Sequence, residues 1–168
     1  VAQTGNTGVV RNLKELREIV EALREEGKVI VFTNGCFDII HAGHVDYLER
    51  AKSFGDFLIV GMNSDVSIKK IKGEKRPILP EEMRARVLSG LKAVDLVFIF
   101  DEETPYKVIE TVRPDVLVKG ADWPLEKIVG REFAGRVERI PFRFDISTTK
   151  IIERILELYS RTSSGRTA

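Results

Sequence analysis

Apolar positions in this chain fall into two rhythms: short unbroken runs, and stripes with the spacing of one helix face. Leu13, Leu16, Ile19, Val20 and Leu23 recur every three or four residues, and Gly27 closes the stripe. Asn12, with Glu15 three residues on, has the form of a capping box. The run Val29-Ile30-Val31-Phe32 reads as a buried strand that stops at Asn34-Gly35, a pair suited to a positive-φ turn. Val45, Leu48 and Ala51 give the next helix, closed by Gly55. A second apolar run, residues 56–62, ends in Asn63-Ser64-Asp65, which suit a loop or a helix cap. A basic stretch follows over 69–77, and Pro80 then opens a helix carrying Val87, Leu88 and Leu91. Residues 94–100 read as a strand, 104–112 as a helix stopped by Arg113-Pro114, and 116–118 as a strand. A helix with little periodicity is expected over 124–135 and a last strand over 137–140. Ile151, Ile152, Ile155, Leu156 and Tyr159 mark a final helix opened by Ser147-Thr148-Thr149. Residues 1–11 read as a flexible lead-in and 161–168 as a flexible tail, which leaves one domain over 12–160.

Strands alternating with helices at this spacing predict an α/β fold, a single Rossmann-like domain whose parallel sheet is flanked by helices. Ligands of such sheets gather beyond the carboxyl ends of the strands. The loops after Thr33, Met62, Phe100 and Val118, and the one before Ser147, would all converge there. Composition narrows the function classes. With 27 Lys+Arg against 26 Asp+Glu, no global field favours nucleic acid. The single Cys36 excludes an internal disulfide and a cysteine zinc cluster, and it fits a reducing cytosol. No apolar run reaches the ~18 residues of a membrane span, and no secretory signal is visible, so the expected compartment is the cytoplasm.

The candidate chemistry sits between the first strand and the helix after it. The two histidines of the chain, His41 and His44, flank Gly43 in that loop. The first amides of a helix are unpaired donors at its positive end, so such a loop makes a phosphate site. Two imidazoles beside it can meet charge that develops on a phosphate. P-loop, dinucleotide-binding, zinc-helix and nucleophile-elbow motifs are absent. Cys36 reads as a small half-buried residue, and Asp38 as the shaper of its own turn. Lys69 and Lys70 read as solvated charge. Lys72-Gly73, Arg76-Pro77, Lys119 at a strand end and Asp122-Trp123 are the better candidates for ligand contact. Ser147, Thr148 and Thr149 offer more hydroxyls than one helix cap uses, hence a second anion site.

Asn34-Gly35-Cys36-Phe37-Asp38 through His41-Ala42-Gly43-His44, together with Ile146-Ser147-Thr148-Thr149, resembles the paired motifs of the HIGH-motif nucleotidylyltransferases. Further stretches resemble the adenylyltransferases of ADP-heptose synthesis, which act on D-glycero-β-D-manno-heptose 1-phosphate. These are Asn63-Ser64-Asp65, Lys72-Gly73, Arg76-Pro77-Ile78, Asp115-Val116-Leu117-Val118-Lys119-Gly120 and Val129-Gly130, and the likeness spans residues 13–158. The resemblance implies direct attack of a sugar phosphate on the α-phosphorus of ATP, giving ADP-heptose and pyrophosphate, with Mg²⁺ on the triphosphate. It implies catalytic roles for His41, His44 and Lys72. It also implies nucleotide contacts from Thr33, through its amide and hydroxyl, and from Asn34, Gly35, Phe37, Gly43, Lys119, Asp122, Ser147, Thr148 and Thr149. Acceptor contacts would come from Asn63, Asp65, Arg76 and Arg84. It further implies a homo-oligomer and a separate sugar kinase to make the acceptor. Asp122-Trp123 stands where the heptose family usually has Asp-Tyr. That pair and the run Ile146 to Ile151 also resemble glycerol-3-phosphate cytidylyltransferase, so CTP with glycerol 3-phosphate is the alternative.

Overall fold

The computed structural model describes residues 8–160. Within them six strands form one sheet: β1 (Val9–Val10), β2 (Ile30–Gly35), β3 (Phe57–Asn63), β4 (Leu96–Phe100), β5 (Val116–Gly120) and β6 (Arg136–Ile140). Their order is β1-β4-β3-β2-β5-β6, and every pairing is parallel. The helices of the described residues are α1 (Leu13–Glu25), α2 (Ala42–Lys52), α3 (Asp65–Lys72), α4 (Glu81–Ser89), α5 (Tyr106–Val112) and α6 (Thr148–Ser160). This is the Rossmann-like α/β fold expected. From β2 the sheet grows through β3 and β4 on one side and through β5 and β6 on the other. The reversal therefore falls between β2 and β5, where a crevice opens at the carboxyl ends.

Alternation along each strand sends neighbouring side chains to opposite faces of the sheet. Val31, Val60, Val97 and Val118 pack with Leu48 and Ala51 of α2 and Leu88 of α4. Ile30, Phe32, Ile59, Phe98 and Leu117 pack with Leu16 and Val20 of α1 and Val108, Ile109 and Val112 of α5. Burial on both faces explains why these strands read as continuous apolar runs.

Several expectations change. The first strand does not stop at Asn34-Gly35. Both residues pair with β3, Asn34 opposite Gly61 and Gly35 opposite Met62, and the left-handed turn falls instead on Phe37, at φ 48°. Val9 and Val10, expected in a flexible lead-in, pair with Val97 and Phe98 as an edge strand. The rest of that lead-in and the 161–168 tail lie outside the described residues. The basic stretch begins in a helix, α3, capped by Ser64, whose Oγ accepts from the Ser67 amide at 3.2 Å. Residues 124–135 form two short 3-10 turns, Leu125–Lys127 and Arg131–Phe133, with Gly130 between them at φ 79°. Asn12 caps α1, accepting from the amides of Lys14 and Glu15, which is the Asn12 half of the capping box expected.

Candidate active site

After β2 the positive φ at Phe37 turns the chain inward, Asp38 is buried, and α2 begins after its N-cap, His41. Gly43 N donates to Nδ1 of His41 at 3.1 Å, and His41 N donates to Nδ1 of His44 at 3.3 Å. The two rings stack with centroids 3.8 Å apart. A ring nitrogen that accepts a hydrogen bond carries no proton, so the neutral rings hold theirs on Nε2. The backbone has thus fixed the tautomer of both histidines, and each keeps one N–H donor for a ligand. Burial lowers the pKa of His41. Burial first, then charge on His41 and Lys72, pushes that of His44 down to about 4. At neutral pH both rings are uncharged donors.

They line a crevice of about 460 Å³ at the β2–β5 reversal. Lys72 comes from the end of α3, and its ammonium reaches the Cys36 thiol, whose own pKa burial raises. Lys119 rises from β5 with its Nζ 5.4 Å from the Trp123 ring centroid. Burial lowers its pKa to about 8, opposed by Asp122 and Cys36. A Cβ on Gly120 would stand 2.5 Å from the Asp122 Oδ1 and 2.8 Å from the Phe142 ring, so one of these exposed side chains would have to swing aside. The far wall is the entry to α6, where Ser147, Thr148 and Thr149 face the crevice. Ser147 Oγ accepts from the Lys150 amide at 3.1 Å, the cap expected, which leaves the two threonine hydroxyls beyond it. Asn34 also lines the crevice, and its Oδ1 is buried with no protein partner.

Thirteen of the seventeen residues expected from the sequence therefore meet at one crevice: Asn34, Gly35, Phe37, His41, Gly43, His44, Lys72, Arg76, Lys119, Asp122, Ser147, Thr148 and Thr149. The other four do not line it: Thr33, Asn63 and Arg84 are buried, and the half-buried Asp65 pairs with Arg84. Thr33 is fully buried; its hydroxyl donates to Val118 O at 3.0 Å and stands 2.9 Å from the Tyr47 hydroxyl. Since the Thr33 proton is committed to Val118, Tyr47 is the donor of that pair, and burial keeps it protonated by pushing its pKa up to about 12. Asn63 donates to Ser67 Oγ at 2.9 Å. Arg84 is buried, and its guanidinium donates to Leu79 O, Cys36 O, Asn63 O and the Asp65 carboxylate at 2.7–2.9 Å. Asn63, Asp65 and Arg84 thus brace the loops beneath the crevice. They touch one another, where the sequence suggested that they touch an acceptor. Asp38 likewise shapes a distant loop and not its own turn, accepting from Ile78 N at 2.8 Å and Leu79 N at 2.9 Å. Cys36, Tyr47, Gly120, Trp123, Phe142, Phe144 and Ile146 complete the lining. The alternation Phe142-x-Phe144-x-Ile146 just before a helix cap was the available signal for the last three.

Residues 32–154 match the family model described as cytidylyltransferase-like. The chain belongs to this family of nucleotidyltransferases. It is similar to the bifunctional protein HldE of Geobacter sulfurreducens, 53% identical over 154 residues, which cover 89% of this chain and 31% of that protein. HldE of Wolinella succinogenes is 53% identical over 140 residues, 83% of this chain and 30% of its own length. The chain thus spans about a third of the length of these relatives. A solved lipopolysaccharide core biosynthesis protein from Thermoplasma volcanium superposes with a TM-score of 0.59 at 31% identity, over 70% of this chain and all of that one. Pantoate-beta-alanine ligase from Francisella tularensis shares the fold, with a TM-score of 0.62 at 16% identity over 89% of this chain and 77% of its own.

Proposed function

We propose that this nucleotidyltransferase moves an adenylyl group from ATP to a heptose 1-phosphate in the cytoplasm, giving ADP-heptose and pyrophosphate. The observation that carries the reaction type is the stacked histidine pair, two neutral Nε2–H donors locked by backbone amides across from the Thr148 and Thr149 hydroxyls. A phosphate monoester is already ionised near neutral pH, so no general base is required. Its oxygen attacks the α-phosphorus in line; a new P–O bond forms and the bond from the α-phosphorus to the bridging oxygen breaks. The electron pair leaves with pyrophosphate. His41 and His44 donate to the oxygens on which charge accumulates, and they need no proton transfer to do so. Lys72 and Lys119 add positive charge on either side, and the hydroxyls of Ser147, Thr148 and Thr149 hold the outer phosphates. Asn34, Gly35 and Gly43 border the same space.

Among the described residues no three or more His, Cys, Asp or Glu gather as a metal cluster, and Asp122 is the carboxylate on the crevice wall. That donor set suits a Mg²⁺ held mainly by phosphate oxygens and water, with Asp122 within the same crevice. Bound so, the ion would neutralise charge on the triphosphate and the departing pyrophosphate.

The heptose acceptor is supported by about half identity to proteins named HldE. Asp122-Trp123 on the crevice wall, together with the family description, supports the second reading, CTP with glycerol 3-phosphate. The test is pyrophosphate release with ATP or CTP crossed against heptose 1-phosphate or glycerol 3-phosphate. Turnover is expected with ATP and heptose 1-phosphate. Turnover confined to CTP and glycerol 3-phosphate overturns the acceptor and base together, and no release in any combination overturns the reaction.

A further inference from the structure

We infer that Arg76 is a positioning residue: it latches the entry of α6 to the histidine loop, and so sets where the Thr148 and Thr149 hydroxyls stand across the crevice. The inference rests on the triphosphate reading of this crevice and concerns what holds its far wall in register.

The two walls are held very differently. On the histidine side Asp38 is buried, and both its oxygens are fixed by the amides of Ile78 and Leu79. Arg84 ties the same loop to Cys36 and Asn63. On the far side α6 buries none of its residues. Its approach is held at the surface, by Arg50 donating to Pro141 O at 2.6 Å and by Arg143 at 3.6 Å from Asp46. Ile146 comes close to the histidine loop where Gly43 makes room, since a Cβ on Gly43 would lie 3.2 Å from it.

Arg76 spans the two walls. Its Nη2 donates to Thr149 Oγ1 at 3.1 Å, while Nη1 lies 3.8 Å from the Asp38 carboxylate. Asp38 cannot move without breaking two backbone hydrogen bonds, so it is a fixed negative reference for the guanidinium. The planar fork can address a carboxylate through one nitrogen and a hydroxyl through the other; a lysine, a single point charge, cannot. With Asp38 and Thr149 as its partners, Arg76 acts on the outer phosphates through Thr149.

Trp123, the one tryptophan of the chain, lies on the crevice wall and serves as the reporter. Its fluorescence is titrated with α,β-methylene ATP in wild type, Arg76→Lys, Thr149→Val and the double variant, with thermal melts run alongside. Losing a charge-assisted contact is expected to weaken binding about tenfold in Arg76→Lys. The same change on the Thr149→Val background should cost nothing further, because the link is already broken. Full affinity in Arg76→Lys, or losses that multiply in the double variant with folding intact, overturns the latch: Arg76 would then meet phosphate directly. Wild type that binds neither α,β-methylene ATP nor α,β-methylene CTP overturns the triphosphate reading itself, and the latch with it.

Discussion

Acid should destabilise this domain partly through one ring, and a His44→Asn variant isolates that share. His44 titrates near 4 in the fold, from an ordinary value of 6.5, because burial and the neighbouring charges of His41 and Lys72 oppose its protonation. The unfolded chain therefore binds a proton between these two values that the folded chain refuses. The neutral ring's contribution is complete above pH 6.5, declines as the pH falls, and is fully lost once the folded ring also protonates, near 4. For one such group the loss is about 2 kcal/mol at pH 5 and about 3 kcal/mol at pH 4, relative to neutral pH. Asparagine keeps a short acceptor for the His41 amide and removes the titrating ring. Carboxylates also titrate in this range, but they are common to both proteins and cancel in the difference; the stacked His41 is coupled to His44, so a His41→Asn background is run in parallel to remove its share. Urea unfolding of each at about pH 7.5 and about pH 5 gives that difference directly. Whatever offset the variant shows near neutrality, it should regain about 2 kcal/mol on wild type at the lower pH. A difference that stays flat across the range refutes the buried neutral ring, and with it the assignment of an uncharged Nε2–H donor.

Lys119 sets the opposite limb. Its pKa of about 8 means that the free enzyme loses this charge in mild alkali, so kcat/KM for the triphosphate should fall above pH 8. In Lys119→Arg, which stays charged, the limb should vanish from pH–rate measurements; an unchanged limb refutes the assignment. Thr33→Val should lose about 1–2 kcal/mol in urea unfolding, because the buried Tyr47 hydroxyl loses its acceptor. Its kcat should stay within about twofold, since removing a phosphate donor would cost about 10². A large fall in kcat at unchanged stability would return the Thr33 hydroxyl to the phosphate site.

Signals carried by neighbours in sequence were legible, and signals carried by partners across the chain were not. The histidine loop, the Ser147 cap and the central strands depend on residues within a turn or two of one another, and each appears where its pattern predicts, save for the end of β2. Thr33, Asp38, Asn63, Asp65 and Arg84 have the chemistry of ligand contacts, and the same chemistry makes good internal braces. What separates the two uses is burial and the identity of the partner. Arg84 meets Cys36 O across 48 positions and Asp38 meets Ile78 N across 40, distances over which sequence carries no periodic trace. Val9–Val10 is too short to show alternation and becomes a strand because the edge of β4 is free to pair with it. Asn34-Gly35 has turn composition, but β3 offers backbone partners to both residues, and the ladder prevails over local preference.

The braces also explain how one small crevice can serve an in-line transfer. The groups facing the reacting phosphorus must not drift, because a donor misplaced by an ångström loses most of its effect. His41 and His44 are accordingly fixed by stacking and by two backbone amides, on a loop anchored below by Asp38 and Arg84. Pyrophosphate, by contrast, has to leave, and the wall beside it must be able to give. In the proposed reaction that wall is α6, which buries no side chain and whose approach meets the histidine side through Arg76, Ile146, Arg50 and Arg143. On that reading the buried, hydrogen-bonded wall stands where charge develops, and the wall held at the surface stands beside the departing product. With Asn63, Asp65 and Arg84 committed to bracing, the proposed acceptor would have to be met at the rim around Trp123, Phe142 and Phe144.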